Sequence, residues 1–295
     1  MPRPFFSFPF ALFLGVFFCG YSSELLAQNA VWNDVSNSKK ESVSGVAKGK
    51  SKLKTYKEQL QKWGLDSNYQ HAFFVGGSAN TDGWSGGLYY LSKKKGTSSN
   101  LWSLKFSEIK HEKQIKQQGS GKNNPGIGNP TPYVFGKINN LYTLQLGYGK
   151  EKMILPGILD GNISLKFRYS GGLSLGMLKP YYLKLIYTNY TLPGQPSYIK
   201  EEKYSAANSD VFLSNNILGA SKWSKVLNEI DYVPGAFFEM AFVLEPAKNK
   251  SFVQLITFGC NISYYAKALA IMADAKAYPY QANMFIGLSL GKRWK

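Results

Sequence analysis

The stretch 163–177, ISLKFRYSGGLSLGM, alternates along its whole length. Ile163, Leu165, Phe167, Tyr169, Leu173, Leu175 and Met177 are apolar, while Ser164, Lys166, Arg168, Ser170, Gly172, Ser174 and Gly176 are small, polar or cationic. Successive side chains of a strand point to opposite faces, so this period of two predicts a β-strand with one apolar face. The other face carries glycine, serine and two neighbouring cations, where a water-facing strand would mix lysine with glutamate.

The pattern recurs on both sides of this stretch. LWSLKFSEI sets Trp102, Leu104 and Phe106 against Ser103, Lys105 and Ser107. LYTLQLGYG sets Tyr142, Leu144, Leu146 and Tyr148 against Thr143, Gln145, Gly147 and Gly149. FFEMAFVLE sets Phe238, Met240, Phe242 and Leu244 against Phe237, Glu239, Ala241 and Val243. SFVQLITFGCNISYY and MFIGLSLGKRW repeat it with Thr257, Gly259, Asn261, Ser263, Gly287, Ser289, Gly291 and Arg293 on the polar side. A membrane barrel shows its apolar face to lipid and fills its lumen with small residues and a few charges, which is the pattern found here. The expected fold is an all-β, antiparallel up-and-down transmembrane barrel.

Strands are expected near 70–80, 84–93, 100–111, 132–150, 162–190, 234–246, 250–267 and 282–295. The tight turn is Asn80-Thr81-Asp82-Gly83, with glycine where a hairpin needs it. Counted from a periplasmic start, connections 94–99, 151–161 and 247–249 fall on the periplasmic side. Connections 112–131, 191–233 and 268–281 fall outside, so every long loop lands on the outer face, as such barrels require. The fifth strand exceeds the ~10 residues needed to cross a bilayer, so a bend at Pro180 and an extension above the membrane are expected. The alternative is ten strands, with splits at Ile138-Asn139-Asn140 and between 177 and 181.

Arg3, the apolar run FFSFPFALFLGVFF and LLAQNA form a secretory signal, residues 1–27, with cleavage expected after Ala27. Phe18 before Cys19 argues against a lipoprotein, and the run is shorter than the ~20 residues of a spanning helix. Only Cys260 then remains, which leaves no intramolecular disulfide. The net charge of +17 is unchanged by removing Arg3 and Glu24. That balance calls for anionic neighbours, which outside the cytoplasm means lipid head groups or acidic glycans. Residues 28–69 read as a basic periplasmic arm closing in a short amphipathic helix near Leu53–Trp63. Its Lys48, Lys50, Lys52, Lys54 and Lys57 form a cluster suited to an anionic membrane surface.

The signal, the period-two strands, the alternating loop lengths and a terminal strand ending in Trp294 resemble the small eight-stranded outer-membrane barrels of Gram-negative bacteria. The Ala27-Gln28 junction, GKINNLYTLQLGYG and GGLSLGMLKPYYL resemble outer-membrane barrels of the Bacteroidota. The likeness spans 70–295 and is architectural; Lys292 and Lys295 depart from the aromatic-ended insertion signal of such barrels. It implies an integral outer-membrane location.

A narrow lumen must pair its charges. Lys105, Lys166, Arg168, Glu239 and Arg293 are expected to form an internal polar network, with Glu239 the partner of Lys166 and Arg168, and Glu108 and Glu245 as further candidates. His71 and His111, the two histidines, lie near no distinctive serine or acidic motif, so no catalytic residue is assigned. No metal or cofactor site is expected either. GSGK at 119–122 lacks the first glycine and the final serine or threonine of a phosphate loop. The loop 191–233 is long and rich in tyrosine, tryptophan and asparagine, a composition suited to protein contact. The expected role is a non-enzymatic scaffold or accessory subunit of an outer-membrane secretion or insertion assembly. The alternatives are a narrow solute pore and, behind it, a lipid-modifying enzyme. Expected partners are outer-membrane lipid and other outer-membrane or periplasmic proteins, not nucleic acid.

Overall fold

The computed structural model describes residues 69–93, 98–119, 129–158, 163–187, 197–222, 227–246 and 252–294. The signal, the arm with its lysine cluster and most of the GSGK loop lie outside the described residues. The strands are β1 (His71–Asn80), β2 (Gly83–Lys93), β3 (Ser98–Ile109), β4 (Lys116–Gln117), β5 (Tyr133–Val134), β6 (Asn139–Ile158) and β7 (Ile163–Pro180). They continue as β8 (Tyr182–Tyr187), β9 (Tyr198–Lys203), β10 (Ile217–Ala220), β11 (Asp231–Pro246), β12 (Phe252–Leu269) and β13 (Tyr278–Trp294). A short helix, α1 (Ser209–Phe212), precedes β10.

Eight strands close a barrel in the order β1-β13-β12-β11-β7-β6-β3-β2. Every neighbouring pair is antiparallel, and the seam sets His71 opposite Trp294 and Val75 opposite Leu290. The tight turn joining β1 and β2 admits only glycine at position 83, where a Cβ would overlap the Glu108 carbonyl.

Alternation places the faces as read from the sequence. Outward side chains include Phe73, Val75, Leu104, Leu146, Phe238, Ile256 and Ile286, all exposed, with Leu173 at 71% and Leu288 at 65% exposure. Aromatic rings mark this belt: Trp84, Phe106 and Tyr142 form one contact chain, Phe167, Phe242 and Phe258 another. Inward side chains such as Ser103, Ser107, Thr143, Ser170 and Ser289 are buried. Along the barrel strands the outward face is apolar, and small polar and charged side chains lie inside between apolar layers.

Two strands depart from expectation by more than four residues. β6 begins at Asn139 and continues to Ile158, so 151–158 belongs to a barrel strand and not to a connection. β7 stops at Pro180, opposite Asn139, the first residue of β6. Proline lacks the N–H that a ladder needs, and the chain leaves the barrel there. Both splits of the ten-strand alternative occur, yet the barrel keeps eight strands. The detached pieces instead join two small sheets, β10-β8-β9 and β4-β5, at the loop end of the barrel. Together with α1 they form a cap with its own apolar core of Tyr133, Leu183, Leu185, Phe212 and Ile217.

Candidate functional site

The barrel interior is built in layers. At the entry end, where β1 begins and β13 ends, Ala72, Phe74, Leu91, Leu101, Val243, Val253 and Leu255 form an apolar ring. Among them lies a connected set of ion pairs. Glu151 accepts hydrogen bonds from Arg168 Nε at 3.0 Å and Nη2 at 2.6 Å, and from Lys166 Nζ at 3.2 Å. Lys166 also meets Glu245 at 2.6 Å. Arg293 grips that same carboxylate with both terminal nitrogens, at 2.5 and 2.7 Å. Tyr69, the residue two before β1, lays its ring 4.4 Å from the Arg293 guanidinium and 5.2 Å from the Lys93 ammonium.

A second polar group lies nearer the loop end. Lys105 donates to Glu239, and Asn261 Nδ2 donates to the same carboxylate at 3.1 Å. Gln145 Nε2 donates to Ser263 Oγ at 3.0 Å, and Ser263 Oγ donates to Asn261 Oδ1 at 3.1 Å. Above them an apolar plug closes the barrel. Ile109, Leu141, Leu178, Val233 and Tyr265 come from the strands; Val134, Ile271 and Met272 come from the loop end. Backbone bonds knit the connections there together: Ile138 N–H donates to Ile271 O at 2.8 Å, and Ala273 N–H to Gly136 O at 2.7 Å.

Lys105, Lys166, Arg168, Glu239 and Arg293 point inward, as does the further candidate Glu245, but the partners differ. Glu239 pairs with Lys105, whereas Lys166 and Arg168 take Glu151, with Glu245 shared by Lys166 and Arg293. The sequence reading ends the strand one residue short of Glu151 and so omits it. The signal is nevertheless present, since Gly147, Gly149 and Glu151 continue one inward track. Glu108 is not in the lumen: it differs in parity from Lys105, lies outside, and accepts a hydrogen bond from Trp84 Nε1 at 2.6 Å. His71 starts β1 and contacts Tyr90 Oη through Nδ1 at 2.7 Å, and His111 lies in the connection after β3.

Four cations, Lys105, Lys166, Arg168 and Arg293, thus face three carboxylates, Glu151, Glu239 and Glu245. Aromatic faces supply further negative potential, with Tyr89 at 5.2 Å from Arg168 and Phe285 at 4.7 Å from Lys105. Among the described residues these lumen charges are engaged with one another, and a small polar cavity remains beside Lys105, Thr143, Gln145 and Asn283.

The cap carries the remaining polar chemistry. Glu202 accepts from Tyr187 Oη at 2.8 Å and Asn208 Nδ2 at 2.9 Å, and pairs with Lys200 at 2.5 Å. The Lys200 hydrogen bond is the largest influence holding Glu202 below the usual carboxylate range. Burial, then the Glu202 hydrogen bond, pushes the Tyr187 hydroxyl up to about 12. Beside this network Tyr198 and Ile199 on β9 are exposed, as are Leu213 after α1 and Ile115 in the connection after β3.

No protein-family model matches the chain, and no curated protein matches it in sequence. Solved structures similar to it include Neisserial surface protein A, at 5% identity and a TM-score of 0.37, covering 75% of this chain and 95% of that one. A major outer membrane protein from Thermus thermophilus aligns at 9% identity and a TM-score of 0.39, covering 76% and 99%. Ail, the attachment invasion locus protein of Yersinia pestis, aligns at 9% identity and 0.32, covering 76% and 96%. At these scores the likeness adds nothing to the barrel already traced from its strand pairing.

Proposed function

We propose that this chain is an integral outer-membrane barrel whose working surface is its cap, as a non-enzymatic scaffold or accessory subunit of an envelope assembly. The carrying observation is the inverted distribution of polarity around a closed sheet. A belt of exposed leucine, isoleucine, phenylalanine and tryptophan exceeds what a water-soluble monomer presents, and a closed barrel can cross lipid because no strand edge is left unpaired. The ion-paired lumen weighs against a solute pore: a permeating ion would have to separate the Glu151 and Glu245 pairs and pass two apolar layers. The cap, with its own core and its exposed Tyr198 and Ile199, is then the surface available to a protein partner.

The test is extraction of the native chain from outer membranes in mild detergent, with gels run unboiled and boiled, followed by affinity capture. A mobility shift on boiling and a stoichiometric co-purifying envelope protein, released when the cap is unfolded by Phe212→Ala, are expected. A soluble chain without the shift refutes the membrane reading. A shifted chain that opens reproducible ion steps in planar bilayers refutes the scaffold reading in favour of the pore.

A further inference from the structure

Lys150 and Lys152 alternate with inward Gly149 and Glu151, so both ammonium groups lie on the outside of the barrel, where both residues are exposed. Two residues apart on one strand, they share a face at a spacing of ~6.6 Å. In register, Lys150 stands beside Asn100 and Tyr169, and Lys152 beside Ser98 and Phe167. Hydrogen-bonding groups therefore flank the pair on one side and aromatic rings on the other. Toward the middle of the barrel the same face continues into Trp102 and Tyr148, whose rings are 4.9 Å apart, and then into exposed Leu104, Leu146 and Leu173.

Glu151 could neutralise this pair, but it points into the lumen and is engaged by Lys166 and Arg168. Among the described residues, neither Lys150 nor Lys152 forms an ion pair, and no aspartate or glutamate faces outward at this level. Lys292, an outward lysine at the same end, stands between Phe73 and Phe252 and has no polar neighbour in register.

Resting on the membrane-spanning reading above, we propose that Lys150 and Lys152, with Ser98 and Asn100, form a site for the phosphate of an anionic phospholipid. Its acyl chains would lie along the Trp102, Tyr148 and Leu173 face. Two cations that face no carboxylate among the described residues attract a head group of net negative charge. They gain little from a zwitterionic one, whose own ammonium they repel. The aromatic pair lies where rings prefer to sit, at the junction of head groups and acyl chains.

The full chain would be reconstituted into nanodiscs of equal parts phosphatidylglycerol and phosphatidylcholine, and lipid retained on release measured by native mass spectrometry. Attraction of this kind amounts to roughly fivefold per basic residue. Wild type is expected to retain phosphatidylglycerol preferentially, K150Q/K152Q to lose at least about threefold of that preference, K150R/K152R to keep it, and K292Q to match wild type. Inorganic phosphate at matched ionic strength should leave it unchanged; displacement would mean a site for free phosphate and overturn the lipid assignment. Wild-type preference in a K150Q/K152Q protein that still shifts on boiling overturns the site, as does an equal loss in K292Q, which would mark diffuse attraction. Failure of the wild-type chain to enter nanodiscs refutes the membrane reading, and this proposal with it.

Discussion

Glu151→Gln tests the lumen most directly. Arg168, 2% exposed, is held by Glu151 through two of its nitrogens, whereas Lys166 keeps Glu245 at 2.6 Å when Glu151 is neutralised. The substitution therefore strands one buried guanidinium. Removing one partner of a buried ion pair costs about 3–5 kcal/mol, and the glutamine oxygen, still able to accept one hydrogen bond, holds the loss near ~3. For a chain of this size, ~3 kcal/mol corresponds to a fall of roughly 6–12 °C in melting midpoint. The assay is the temperature at which the compact gel band converts to the unfolded one. Glu108→Gln, which alters an outward carboxylate bonded to Trp84, should move the midpoint by no more than ~2 °C. Replacing both partners, as E151M/R168M, should recover most of the loss, because an apolar pair leaves no charge stranded. The reasoning fails if E151Q melts within ~2 °C of wild type, or if the double variant is worse than the single one.

Lys137 lies outside the spanning strands, 6% exposed, with Nζ 2.9 Å from Gln114 Oε1. Burial holds its ammonium down to about 8 from 10.5, against the pull of Glu108 and aided by Lys110 and Lys116. Below pH 8 it is charged folded and unfolded, and its burial lowers stability. Between 8 and 10.5 the folded chain releases a proton the unfolded chain keeps, so stability rises with pH across that window. Lys137→Met should therefore raise the melting midpoint at pH 7, by up to ~3 kcal/mol in stability, and flatten the rise; an unchanged pH profile would refute this account. Phe212→Ala, at a fully buried site of the cap, should cost ~3–5 kcal/mol locally and expose the cap to protease while leaving the barrel's heat shift in place. Loss of the heat shift would mean that cap and barrel fold as one unit.

The barrel is legible because alternation is a local property repeated in every strand. Less legible are the positions where a strand's end is set by its neighbours. The inward track of Gly147 and Gly149 runs on into Glu151, but alternation does not say where it stops: β6 continues because β3 and β7 are present to pair with it, Ser99 and Arg168 standing opposite Glu151 itself. The pairing of Glu239 with Lys105 also depends on the order in which the barrel closes, which alternation does not encode. Parity alone, however, excludes Glu108 from the track of Lys105. The cap is harder to read, since 181–230 holds short strands whose partners are assembled only around Phe212 and Tyr133.

The internal charges also fix which face of each strand meets the outside. Both faces of β11 are largely apolar, Phe238, Met240, Phe242 and Leu244 on one and Phe237, Ala241 and Val243 on the other. By hydrophobicity alone, a slip of one residue there would be weakly opposed. Glu239 and Glu245 remove that ambiguity, because the slip would move both carboxylates to the apolar exterior and leave Lys105, Lys166 and Arg293 without them. On β7 the same slip would move Lys166 and Arg168 outward together. A register error on either of these strands thus strands at least two ions, a penalty far above the net gain from the correct pairs. The network therefore contributes less to the depth of the native state than to its separation from misregistered barrels. E151M/R168M, if it recovers the melting midpoint, should accordingly still yield a larger misfolded fraction on refolding into detergent; equal yields from wild type and the double variant would show that the glycine and serine tracks set the register without the charges.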